Sequence, residues 1–142
     1  MCRLKDGEAF QELALGECTT NVRGYQPWRQ ALELARKCQP KKKAALAAIL
    51  EEEVARLVRG AHYFTAVHTP LDFFHGVDAF FECGETIVTI DLTINDEKVC
   101  CKADLLVGFE DVTSKPAVRN LAAKIARALT TKRQRQPMSY AA

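Results

Sequence analysis

Gly76-Val77-Asp78-Ala79-Phe80-Phe81-Glu82-Cys83-Gly84-Glu85-Thr86-Ile87-Val88-Thr89-Ile90-Asp91-Leu92-Thr93 is the stretch that decides how this chain folds. Val77 to Cys83 is rich in aromatic and β-favouring residues and predicts a strand. Gly84-Glu85 is a two-residue hairpin signal, and Thr86 to Ile94 predicts the returning strand. On that strand Val88, Ile90, Leu92 and Ile94 share one face, and Ile87, Thr89, Asp91 and Thr93 share the other. Asp78 and Asp91 therefore fall on neighbouring strands, each inside an apolar run. A carboxylate so placed is costly unless it is paired, hydrogen-bonded or bound to a cation. Two together point to a hard-metal site and to phosphate chemistry.

Working outward, Glu8 to Leu15 predicts a short helix closed by Gly16, and Thr19 to Gln26 is rich in turn formers. Pro27 suits the first position of a helix running to about Cys38. A further helix is expected from Pro40 to Arg59, stopped by Gly60. At 100° per residue Leu46, Ile49, Leu50 and Leu57 fall in one arc, and Glu53 falls inside it, toward the core. His62 to Val67 predicts a strand, and Thr69-Pro70-Leu71-Asp72 a turn. Beyond the hairpin, Asn95 to Lys102 predicts a short helix, Asp104 to Phe109 a strand, and Lys115 to Leu129 a helix with Val118, Leu121, Ala122, Ile125 and Leu129 as its apolar stripe. The sequence Lys132-Arg133-Gln134-Arg135 reads as a disordered tail. The expected fold is α/β: a small central mixed β-sheet flanked by helices. Residues 1–39 form a helical N-terminal arm, 40–130 the core and 131–142 a basic C-terminal tail.

With 142 residues, 48% of them hydrophobic and 27% charged, the chain suits a single domain with a real core. No apolar run has the length of a membrane span, and Met1 to Asp6 lack the apolar stretch of a secretory signal; a cytoplasmic protein is expected. The six cysteines have neither Cys-x-x-Cys nor zinc-site spacing and read as reduced thiols. The net charge of +2 is distributed unevenly. Residues 1–50 carry nine basic and five acidic side chains, residues 51–111 four and thirteen, and residues 112–142 seven and none. An acidic centre between basic flanks suits a polyanion held by the flanks and a metal held in the middle.

Taken singly, Glu53, Asp78 and Asp91 have ordinary structural explanations: pairing with Arg56, capping a turn, bonding Thr89 or Thr93. Taken together, three buried or half-buried carboxylates repel unless a cation lies between them. On these residues the run from Leu46 to Phe109 resembles the PD-(D/E)XK nuclease superfamily, the restriction-endonuclease-like fold. That family places an acid on its first helix, an Asp at the start of the second core strand and (Asp/Glu)-x-Lys on the third. The matching positions here are Glu53, Asp78 and Asp91-Leu92-Thr93. The resemblance implies that Asp78, Asp91 and the carbonyl of Leu92 bind Mg²⁺ (or Mn²⁺), with Glu53 assisting through water. Val77 replaces the motif proline and Thr93 replaces the motif lysine. The lysine's role, to orient water and stabilise charge on phosphate, falls to Lys102 or Lys98 if it is filled at all.

The function this implies is metal-dependent hydrolysis of phosphodiester bonds in DNA. The alternative is an inactive nuclease-fold domain that binds nucleic acid or a protein partner. Expected contacts to nucleic acid are His75 and Lys98 near the site, Arg119, Lys124 and Arg127 on the last helix, and Lys132, Arg133 and Arg135 beyond it. Trp28 at a helix start suits an anchor docking the arm. A homodimer is compatible with a small nuclease that cuts two strands.

Overall fold

The computed structural model describes residues 3–94 and 102–135. Its elements run α1 (Arg3–Leu15), α2 (Trp28–Lys37), α3 (Ala45–Leu57), β1 (His62–Thr65), α4 (Pro70–His75), β2 (Ala79–Cys83), β3 (Thr86–Thr93), β4 (Leu105–Gly108) and α5 (Lys115–Arg135), with a 3-10 turn at Phe109–Val112. The expected helix over residues 95–102 lies almost wholly outside the described residues.

The strands form one mixed sheet in the order β1-β2-β3-β4. β1 and β2 are antiparallel, as are β2 and β3, while β4 runs parallel to β3 with Ile90 against Leu105 and Thr93 against Gly108. The hairpin closes at Gly84, whose φ of +61° suits a residue without a side chain. Strand alternation sends residues to two cores. Tyr63, Ala79, Phe81, Val88, Ile90, Leu92 and Val107 join α1, α3 and α5 in the larger one. Phe80 and Val77, with Phe64 and Ile87 at the margin, pack against Ala31, Leu32 and Ala35 of α2 and Leu71 of α4. With helices on both faces, six of the eight β3 side chains are buried, Thr89 and Asp91 included.

Several expected elements shift. Residues 70–75 form a short helix rather than only a turn: Pro70 fits its first position and Gly76, at φ +69°, ends it in the left-handed conformation. α3 begins at Ala45, not at Pro40, and buries Ala47, Leu50 and Val54. Ile49 and Leu57 are exposed, because the small residue Ala47 rather than the large Ile49 faces the core. The expected tail is helical: α5 continues to Arg135, held where the Lys132 ammonium donates to Asp104 Oδ2 and to the carbonyl of Ile87, both at 2.7 Å.

The first two helices pack on the sheet. Ala14 and Leu15 of α1 lie in the larger core, and the Tyr63 hydroxyl donates to the carbonyl of Leu15 at 2.8 Å. Thr65 Oγ1 donates likewise to Gly16, so β1 satisfies two carbonyls at the end of α1. Arg36 of α2 pairs with Glu82 of β2. No described helix is long and apolar enough to cross a membrane.

Candidate metal centre

Asp78 stands one residue before β2. Its N–H donates to the carbonyl of Ile90 and its carbonyl accepts from Ala66, so the ladder continues one step past the paired strand on both sides. Extending the β2–β3 register by that step sets Asp78 opposite Asp91. Both side chains are buried, Asp78 to 3% exposure and Asp91 to 8%.

The Asp78 carboxylate has a defined set of neighbours. Its Oδ2 accepts from the Leu92 N–H at 2.8 Å and from Gln11 Nε2 at 3.0 Å. The same Gln11 nitrogen donates to the carbonyl of Leu92 at 2.9 Å. Asp72, from the first turn of α4, and Asp91 each share a side-chain hydrogen bond with Asp78. Burial first, then the charge and hydrogen bond of Asp72, push the Asp78 carboxyl up to about 9, against the Leu92 N–H, which favours its ionised form. Asp72 is raised by burial and by the charge of Asp91, while the His68 N–H and the hydrogen bond from Asp78 act the other way. Burial and the neighbouring Asp72 thus favour the protonated form of the Asp78 carboxyl.

A second acidic group adjoins the first. The His68 N–H donates to Asp72 Oδ2 at 3.0 Å, and His68 Nε2 lies 2.5 Å from Glu12 Oε2 and 3.6 Å from Glu17 Oε2. His68 takes φ +71°, the only described non-glycine residue with positive φ. Glu12, Glu17 and His68 offer ligand atoms all within 4.8 Å of one another. α1 thus supplies Gln11 to one group and Glu12 to the next.

Of the residues singled out from sequence, Asp78, Asp91 and the Leu92 backbone come together. Glu53 is half-buried on α3 and pairs with Arg56 at 3.5 Å; the helical side chains that meet Asp78 are Gln11 of α1 and Asp72 of α4. Thr93 ends β3, half-buried beside β4. The stem of Lys102 lies over Gly76, where an added Cβ would meet it at 3.6 Å, two residues from Asp78. Lys98 lies outside the described residues. His75 Nε2 meets the carbonyl of Gln26 at 2.8 Å, and its ring packs against Tyr25 and Trp28, joining α4 to the start of α2.

A groove of about 630 Å³ opens beside Lys102, lined also by Trp28, Thr89, Asp104, Lys132 and Arg135. Thr89 and Asp104 brace its floor: Asp104 Oδ2 accepts from the Thr89 N–H and hydroxyl at 2.9 and 3.0 Å. Arg119, Lys124 and Arg127 are exposed on α5, and Lys124 and Arg127 border a separate depression of about 320 Å³. Arg133 donates to Cys83 Sγ. Cys18, Cys38 and Cys83 are free thiols, and burial pushes that of Cys18 up.

Sequence reasoning missed Gln11 and Asp72. Gln11 has a legible signal, since it shares a helix face with Ala14 and Leu15, three and four positions on, where a polar residue needs a buried partner. Asp72 reads as a turn residue until α4 is recognised. In comparisons with protein-family models, curated proteins and solved structures, nothing matches this chain.

Proposed function

We propose that the chain is a metal-dependent nuclease of the restriction-endonuclease-like fold that hydrolyses phosphodiester bonds in DNA. The observation that carries this reading is the convergence of Asp78 Oδ2 and the Leu92 carbonyl on a single donor, with Asp91 bonded to the same carboxyl. Two oxygens of this kind, next to a further carboxylate, suit Mg²⁺, which takes one or two carboxylates and keeps several waters. Asp78, Asp91 and the Leu92 carbonyl would hold the ion, which when bound supplies Lewis acidity toward a phosphate and acidifies a water. The strand arrangement supports the reading: α3 precedes an antiparallel β1-β2-β3 run, with β4 parallel to β3 and α5 after it. α4, however, is inserted between β1 and β2, and the helix expected over residues 95–102 lies almost wholly outside the described residues.

The chain's own residues then have separable tasks. With an ion held there Asp78 would bind as the carboxylate, its proton released, with Asp72 beside it. Lys102, whose stem lies beside Gly76, has a side chain that would carry its ammonium to a phosphate bound at the centre. Trp28 and Arg135 line the groove beyond it, where an aromatic face and a cation suit a nucleic-acid strand. Thr93 favours a second reading, a silent domain of the same fold that binds nucleic acid without cutting, because a hydroxyl brings no charge to the place of the motif lysine.

Incubation with labelled single- and double-stranded DNA and RNA, in Mg²⁺, Mn²⁺ or EDTA, separates the readings. Metal-dependent cleavage lost in Asp78→Ala and Asp91→Ala supports the nuclease. Salt-sensitive binding without cleavage supports the silent domain. Neither activity, with no stabilisation by a divalent ion, overturns both.

A further inference from the structure

We infer that Gln11 is a ligand of the proposed centre, taking from the N-terminal helix the place that sequence reasoning assigned to Glu53. The inference rests on the metal reading above and extends it to a residue outside the (Asp/Glu)-x-Lys pattern. Gln11 Nε2 sits 3.0 Å from Asp78 Oδ2 and 2.9 Å from the Leu92 carbonyl, so the amide group stands at the point toward which the two expected ligand oxygens converge. A positively polarised N–H group there satisfies the same two acceptors that a cation would.

The side chain is suited to both states. Rotation about its side-chain torsions would withdraw Nε2 from that point and turn Oε1 toward an ion held there, replacing a donor by a neutral oxygen ligand without moving the backbone. Gln11 would thus stabilise the empty centre as a donor and the loaded one as an acceptor. Its neutrality matters, because the group already contains Asp72, Asp78 and Asp91. A glutamate at position 11 would add a fourth carboxylate to the empty centre. The helix is held for this purpose at its other end, where Tyr63 and Thr65 bond the carbonyls of Leu15 and Gly16. α1 also lies against β3, the strand that carries Asp91 and Leu92.

The test measures Mn²⁺ binding by electron paramagnetic resonance, and thermal unfolding with and without Mn²⁺, for wild type, Q11E, Q11M and D78N. Q11M matches glutamine in length, carries no amide and removes both donor and oxygen. The expected results are binding by wild type, weakening on the order of tenfold or more in Q11M, and loss in D78N. Q11E should unfold at a lower temperature than wild type without metal, yet show a larger upward shift when Mn²⁺ is added. Because Q11E retains an oxygen ligand, it decides the case if Q11M fails to fold. Unchanged Mn²⁺ affinity in Q11M, or a Q11E protein that gains no extra shift, overturns the assignment of Gln11 while the centre itself stands. Absence of binding by wild type overturns the centre and Gln11 together.

Discussion

Asp78 is the residue on which the account turns, and its protonation gives a direct handle. Its carboxyl is raised from the ordinary aspartate range to about 9, so the folded protein keeps a proton there that the unfolded chain releases near pH 4. The sign follows from linkage: between those values the folded state binds more protons, and the stability from this group falls as pH rises. The full contribution is present below the unfolded value and is lost by the time pH passes about 9. Asp78→Asn keeps an oxygen for the Leu92 N–H and removes the titration. Chemical denaturation at pH 5 and pH 8 should therefore show the variant gaining on wild type as pH rises, by up to about 1.4 kcal/mol per pH unit. An equal difference at both pH values would argue against a proton on Asp78. Metal binding should strengthen over the same range, since the ion displaces that proton.

Thr93 carries the other residue-scale prediction. If the absence of the motif lysine limits the rate, Thr93→Lys should raise Mg²⁺-dependent cleavage by about tenfold or more. An unchanged rate would place the needed charge on Lys102 instead, and Lys102→Ala should then reduce cleavage while the fold, read by circular dichroism, stays intact.

Among the elements, the β2–β3 hairpin was the most legible in sequence. Its turn chemistry and its alternation agree, and a one-residue slip would have taken Val88, Ile90 and Leu92 out of the larger core and turned Thr89 and Asp91 into it. α4 was hidden because six residues are too few to show a helical period, although Pro70 and Gly76 mark both its ends. α3 was recognised as a helix, but its phase was misjudged. Its core face uses Ala47, and large exposed residues such as Ile49 and Leu57 drew the arc away from it. Gly76 joins the end of α4 to the site: at φ +69° a side chain is strained there. Gly76→Ala should cost about 1 kcal/mol in urea unfolding through its positive φ alone, since the added Cβ would meet Lys102 at ordinary contact distance. Full stability in that variant would show that the left-handed turn is not needed.

At the scale of the whole molecule, the charge asymmetry was plain in the sequence, but the contact between its parts was not. Pairing of α1 with residues near position 90 depends on tertiary packing, and no local pattern signals that Gln11 will meet Asp78 across 67 positions. Likewise the apparent basic tail is the last turn of α5, and Lys132 is engaged with Asp104 and Ile87 rather than free. Arg135, at the groove mouth, and Arg119, Lys124 and Arg127, exposed on α5, remain the better candidates for phosphate contact. Neutralising Arg135 together with Lys102 should weaken DNA binding and flatten its dependence on salt by roughly one unit of log–log slope per contact removed. A parallel loss from neutralising Arg119, Lys124 and Arg127, with no effect at the groove, would move the DNA path to the outer face of α5.

The most direct test of the central claim is calorimetric titration of Mg²⁺ and Mn²⁺ into the full chain near pH 8, for wild type and for Asp78→Asn. Wild type should bind saturably and release protons on loading, and the variant should show no comparable binding. Absence of saturable binding by wild type, or equal binding by Asp78→Asn, would contradict that claim.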